Sequence, residues 1–341
     1  MTDPFDSHTL DIVAGAAQRG WTPKDLFHLY GNDIHALLYR AALRAAARVD
    51  SPTIRNAWLM LLPPDNPYVS RAKILKWTEQ IHLLPRLRDG GYITAPKDDE
   101  DPRTAKMRRK IEALLRKAES TTFEEEASAL VARAQALRQA HRIHDVSPDG
   151  AAVQARRVYV TGPYVKHKFT LMTVIARANG VSGVLMHDRG IGCLFGAADD
   201  LDHVLDLYES LVRQGEYFMR HSGDAEIASF MRQTASFRRS FLLAYAARIG
   251  DLLEQANASS PEEYGSTDGS GQAGVSDALA VLEERTSAAE LARAEVFPHL
   301  SSISLSASNA LGQQAGVDAA EAAHLRGDSS GVAPARRSLS A

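Results

Sequence analysis

Apolar positions recur along most of this 341-residue chain at the spacing of a helix face. Short β-prone runs are confined mainly to residues 156–195. Residues 8–88 read as a helical array. Leu10, Ile12, Val13 and Ala16 open a short helix that Gly20 ends, and Thr22 and Pro23 suit the N-cap and first position of the next. Asp33 to Val49 is Ala/Leu-rich and helical, and Pro52 opens a segment carrying Trp58, Leu59 and Leu61. The Pro63–Pro67 run is a break, and Arg71 to Leu87 predicts a further helix interrupted at Pro85. Trp21, Trp58 and Trp77 all fall here and predict a small core built on large aromatics. A helix-turn-helix with Gly20–Pro23 as its turn is rejected, because Lys24 to Tyr30 is too short and not basic enough to read a groove.

After a polar linker at 96–102, the strongest local pattern is a predicted αα-hairpin over 103–147. Met107, Ile111, Leu114, Leu115 and Ala118 make one apolar stripe, with Lys106, Arg109, Arg116 and Lys117 on the opposite side. Thr122 and Glu125 have capping-box spacing, and Ala127, Leu130, Val131, Ala134, Leu137 and His141 continue a second apolar face.

The period then changes. Arg156 to Thr161 reads as a strand, Phe169 to Ala178 as a helix, and Val181–His187 with Ile191–Phe195 as a hairpin. Asp199 or Asp200 is expected to cap a long helix bearing Leu201, Val204, Leu205, Tyr208, Leu211 and Val212. Phe237, Phe241, Leu242, Tyr245 and Ile249 mark another, running to about Gln255. A disordered loop is expected near 257–276. Ala278 to Leu282 is read as a strand rejoining the sheet, the alternative being one helix over Asp277–Glu295. After Leu300 no apolar period is visible, and 306–341 is expected to be a flexible tail. The predicted organisation is therefore a helical region at 1–95, the linker, the hairpin, a small α+β unit at 151–305 and the tail.

The run KMRRKIEALLRKAESTTFEEEASALVARAQALRQAHRI resembles the family called domain of unknown function 2786, found in bacterial, phage and plasmid proteins. The resemblance rests on Leu114-Leu115, on Ala118-Glu119-Ser120, on the Thr- and Glu-rich turn from Thr121 to Glu126, and on Ala134-Gln135 with Leu137. A looser similarity to the companion domain that usually follows extends through SFRRSFLLAYAARI. The resemblance implies architecture and no activity.

Composition (45% hydrophobic, 24% charged) is that of an ordinary soluble protein, without a run long enough to span a membrane. The acidic N-terminus lacks a signal-peptide pattern, and the single Cys193 excludes an internal disulfide, so a cytoplasmic location is expected. Net charge is −3 overall, yet Arg103 to His144 carries ten Lys/Arg against five Glu.

Candidate chemistry is sparse. His141, His144 and Asp145 lack a third metal ligand, and no metal or cofactor is expected. Cys193 reads as a buried strand cysteine, and Gly180, Gly183, Gly190, Gly192 and Gly196 as turn glycines, since their spacing fits neither phosphate-loop plan. Arg232, Arg238, Arg239 and Arg248 form an acid-poor run that is either a solvated face or an anion site. The fold expected is α+β and predominantly helical, the small sheet carrying helices on one face. No catalytic constellation is visible. The functional expectation is a non-enzymatic protein, nucleic-acid-associated through phosphate contacts from Lys106, Arg109, Arg116, Lys117, Arg238 and Arg239. The alternative is a protein-interaction or scaffold module whose basic residues only solubilise its helices. Oligomeric state is not readable.

Overall fold

The structure, a computed structural model, describes residues 5–87, 153–258 and 271–323. The predicted hairpin and the linker before it lie outside them. The described chain is α+β and predominantly helical, with one antiparallel sheet of three strands.

Five helices build the N-terminal part: α1 (Ser7–Gln18), α2 (Pro23–Tyr30), α3 (His35–Ala46), α4 (Pro52–Leu59) and α5 (Arg71–His82). Thr22 caps α2 as expected, in a capping box with Asp25 and with Pro23 at the first position. Trp21 and Trp58 are fully buried and Trp77 nearly so, which is the aromatic core read from the sequence. Their indole N–H groups also tie the chain. Trp58 donates to the Trp21 carbonyl at 2.9 Å, and Trp21 donates to that of Pro85 at 2.7 Å. The second bond straps the segment after α5 against the α1–α2 turn. There Gly20 (φ 98°) is required, because a Cβ would stand 2.7 Å from the Leu87 carbonyl oxygen.

The sheet comprises β1 (Gln154–Tyr159), β2 (Ser182–His187) and β3 (Ile191–Gly196), in the order β1-β3-β2. Helix α6 (Val165–Ala178) carries the chain from β1 to β2, and β3 then turns back into the slot between them. This is a split β–α–β arrangement. Register puts Val158, Gly192 and Leu194 on one face, and Arg157, Tyr159, Ile191, Cys193 and Phe195 on the other. The first face packs under α6, where Gly192 leaves room for the Phe169 ring, 2.5 Å from where a Cβ would stand. Gly183 and Gly196 also lie within strands, so these three are packing glycines, and only Gly180 and Gly190 take the positive φ of turns.

Helices α7 (Ala198–His221), α8 (Gly223–Phe230), α9 (Thr234–Ala258), α10 (Gly271–Val296) and α11 (Ala310–Ala322) complete the chain. The faces predicted for α7 and α9 are buried with α6 in the largest core. Four differences from expectation have physical causes. The second sheet face is also covered, by α10 over Cys193 and Phe195 and by the N-terminal helices over Ile191. Ala278 to Leu282 is part of α10 and adds no strand, since its Ala-rich surroundings favour continuous helix. Neither Asp199 nor Asp200 caps α7. Its N-cap is Ala197, and Asp200 is instead buried in the first turn, accepting from Arg285 of α10 at 2.8 Å. Residues 310–322, expected to be part of the flexible tail, form α11. Its Gly312, Ala315, Gly316, Ala319 and Ala320 face lies close on α9. Among the described residues no helix is long and apolar enough to cross a membrane.

Candidate anion-contact site

Lys106, Arg109, Arg116 and Lys117, and also His141, His144 and Asp145, lie outside the described residues. Arg238 and Arg239 stand in the second turn of α9, the first half-buried and the second exposed. Arg239 donates back to the Ala235 carbonyl at 3.3 Å, and neither arginine has an ion-pair partner among the described residues. The other two arginines of that run do different work. Arg248 pairs with Glu321 of α11 at 3.2 Å, and Arg232 lies in the α8–α9 connection with φ 56°. The run is therefore not one continuous face.

Two contacts fix what Arg239 stands beside. The Asn257 amide donates to the Ala178 carbonyl at 2.8 Å, and Gly250 faces Val174. Helices α6 and α9 thus run parallel, which sets the second turn of α9 level with the first turn of α6. Both positive dipole ends lie on the same side of the molecule. The sequence puts basic residue types where a helix start ordinarily takes acids: Lys166 and Lys168 flank His167 in the first turn of α6.

His167 is buried, its ring edge-on to Tyr164 with centroids 6.0 Å apart. Burial, and then the charge of Arg239, holds its imidazole below the usual histidine range. Tyr164 is the N-cap. It sits in the left-handed region (φ 64°) and makes no side-chain capping bond. Lys168 is buried too. Its ammonium donates to the Thr161 carbonyl at 3.0 Å and pairs with Glu216, which also takes Arg220 at 3.3 Å. Lys166 faces Asp188 across 3.6 Å, and both are well exposed. Cations therefore outnumber carboxylates around this helix start. Sequence reasoning found Arg238 and Arg239 but missed Tyr164, His167 and Lys168. The available signal was a helix opening on Lys-His-Lys without an Asp, Asn, Ser or Thr cap.

A second polar cluster joins the N-terminal helices to the sheet. Asp25 of α2 is fully buried, accepting from Tyr159 Oη at 2.8 Å and from the Thr22 backbone N–H and hydroxyl at 2.7 Å each, and it pairs with Arg157. Arg157 also donates to the Gly20 carbonyl at 2.7 Å. Burial, and then the Asp25 charge, drives the Tyr159 phenol far above its ordinary pKa. Every charged group in this cluster is partnered, so its chemistry is that of a clamp. It also occupies α2 against the sheet, which supports the rejection of a groove-reading helix there. Cys193 is fully buried in β3 on the same face.

A cleft of about 440 Å³ beside α1 is lined in part by Gln18, Asp50, Ser51 and Arg86, but Arg48 at its edge is already committed to Asp11.

Comparison with known proteins places one segment. Residues 106–145 match the model of a family described as "Protein of unknown function (DUF2786)". The resemblance carried by Leu114-Leu115 and Ala118-Glu119-Ser120 thus holds over that stretch, and the match does not extend to the companion domain. No curated protein and no solved structure matches the chain.

Proposed function

We propose that this protein is a non-enzymatic, nucleic-acid-associated factor working in the cytoplasm of a bacterium or in a phage-infected cell. It contacts backbone phosphates through Arg238 and Arg239 and through the basic residues of the 106–145 segment. The observation that carries this reading is a pair of arginines with no carboxylate partner among the described residues, set beside the positive ends of two parallel helices. Guanidinium forks suit phosphate oxygens, and a helix start adds charge of the same sign. Nothing in this setting has the shape needed to read a base edge, so binding is expected to be indifferent to sequence, micromolar at low salt and steeply salt-dependent.

Fluorescence anisotropy with labelled duplex DNA and single-stranded RNA tests it. The parent should bind with a log K that falls linearly with log salt. Arg238→Ala/Arg239→Ala and Lys106→Ala/Arg109→Ala/Arg116→Ala should each flatten the slope by roughly one unit per lost contact. A parent that shows no salt-sensitive binding to either polymer ends this reading.

A second reading, a protein-interaction module, is favoured by a different surface. Leu43 of α3 and Met60, Leu62 and Tyr68 of the α4–α5 connection are each at least 75% exposed. His35 at the start of α3 donates to the Leu62 carbonyl at 2.8 Å, which ties the α4–α5 connection to that helix start. Preparations free of co-purifying nucleic acid before any high-salt wash would favour this alternative.

A further inference from the structure

Helix α8 turns only its alanine side to the core: Ala228 is buried and Ala225 packs against the largest cluster. Ile227, Phe230 and Met231 fall on the other side, at the i, i+3, i+4 spacing of one helix face. Phe230 is 91% exposed, Met231 54% and Ile227 49%. One exposed apolar residue needs no explanation, but three on one face make a patch. The charges around it are ordered along the helix. Asp224 and Glu226 stand in the first turn, one on each flank of the stripe, and Arg232 follows the last turn. None of the three has an ion-pair or side-chain hydrogen-bond partner among the described residues. The helix dipole accounts for acids at the start of α8, but not for the apolar face between them and Arg232. Arg232 is also unusual for its place. It sits at φ 56° where the Gln233 N–H reaches back to the Ala228 carbonyl at 2.8 Å, a closing turn that ordinarily takes glycine.

From these observations we propose that α8 is a docking surface for the same helix of a second copy of this chain, the two helices antiparallel across a two-fold axis. Such an axis reverses the helix direction. Arg232 of each copy then meets Asp224 and Glu226 of the other, while Ile227, Phe230 and Met231 meet their own counterparts. The face is self-complementary: apolar in the middle, acidic at one end and basic at the other. A parallel arrangement would bring like charges together at both ends, so charge selects the antiparallel one. A nucleic acid does not fit here, because it would satisfy Arg232, be repelled by the two acids and leave the apolar stripe in water. The surface is small. A helix of eight residues falls short of the roughly 800 Å² per partner that a tight complex buries, so the pairing is expected to be micromolar and concentration-dependent. The inference goes beyond the nucleic-acid reading, since the two copies pair whether or not Arg238 and Arg239 meet phosphates.

Sedimentation velocity on the full chain, from ~1 to ~500 μM, tests it. The weight-average mass should rise from monomer toward dimer across that range. Phe230→Asp should weaken dimerisation roughly tenfold or more, and because the ring is exposed the variant should melt like the parent. Arg232→Gly relieves the left-handed strain, so it should melt no lower than the parent and yet dimerise less, a split that a merely structural arginine would not give. Two charge variants, each confirmed as folded, complete the test: Arg232→Glu, and Asp224→Lys/Glu226→Lys. Each alone sets like charges against each other at both ends and should dimerise roughly tenfold more weakly or worse. Mixed, they restore opposite charges at both ends and should form a heterodimer. A parent that stays monomeric throughout, a dimer unchanged by Phe230→Asp, or charge variants that do not pair when mixed overturns the proposal.

Discussion

Among individual residues, Asp25 has the most riding on it. Its carboxylate pairs with Arg157, which is 95% buried at the side chain, and the same carboxylate orders Tyr159 and Thr22. Removing one partner of a buried pair leaves an uncompensated charge, which outweighs the modest net worth of the intact pair. Asp25→Ala should therefore lower the unfolding free energy by about 3–5 kcal/mol in denaturant titration. Asp25→Leu combined with Arg157→Met should recover much of that loss, because no bare charge remains. Two histidines give a pH prediction. Burial leads in holding both His167 and His187 below the ordinary value, with Arg239 adding to the first and Arg189 to the second. Above the unfolded value both states are neutral and nothing is gained or lost. As pH falls through that value the unfolded chain takes up protons that the folded chain refuses, so stability declines until the depressed folded pKa is reached. Thermal melts from pH ~7 down to ~5 should show that decline, and His167→Gln/His187→Gln should flatten it.

Among the elements, α11 is the instructive one. Its buried face is made of glycine and alanine, and a Cβ on Gly312 or Gly316 would stand 2.4 Å from the Phe237 or Phe241 carbonyl oxygen of α9. Gly316→Ala gains about 1 kcal/mol of helix propensity but forces backbone atoms apart at about 1–3 kcal/mol, so the net effect should be destabilising. Chemical denaturation of the single variant decides the sign. This face went unread in the sequence because small residues carry little hydrophobic signal, although they recur at helical spacing from Gly312 to Ala320. The large-residue faces were legible for the opposite reason. Phe237, Phe241, Tyr245 and Ile249 announce α9, and Ile191–Phe195 announces β3, through apolar area alone. The polar groups were hardest to foresee. Asp25 meets Arg157 across 132 positions, and His167 meets the charge of Arg239 only because α6 and α9 run parallel. No local pattern encodes such pairings. Arg238 and Arg239 could be named as candidates, but the helix start beside them could not.

At the scale of the whole molecule, the N-terminal helices and the sheet share buried contacts through Ile191, Tyr159 and Asp25. They should accordingly unfold in one transition, with tryptophan fluorescence and far-UV dichroism losing signal together; two separated transitions would show that the clamp does not couple them. The central position of β3 also sets the order in which a nascent chain can be completed. As the ribosome releases it, Asp25 emerges first and waits for a cation that is synthesised more than a hundred positions later. Strands β1 and β2 follow, and since the third strand belongs between them, neither has its native neighbour until Ile191–Gly196 has appeared. Through that interval their edges are open to pairing with other chains. Nascent fragments ending at Gly190 should thus engage chaperones or aggregate. Fragments ending beyond the exit tunnel's span past Gly196 should resist protease, and the step between them would mark the moment the sheet closes.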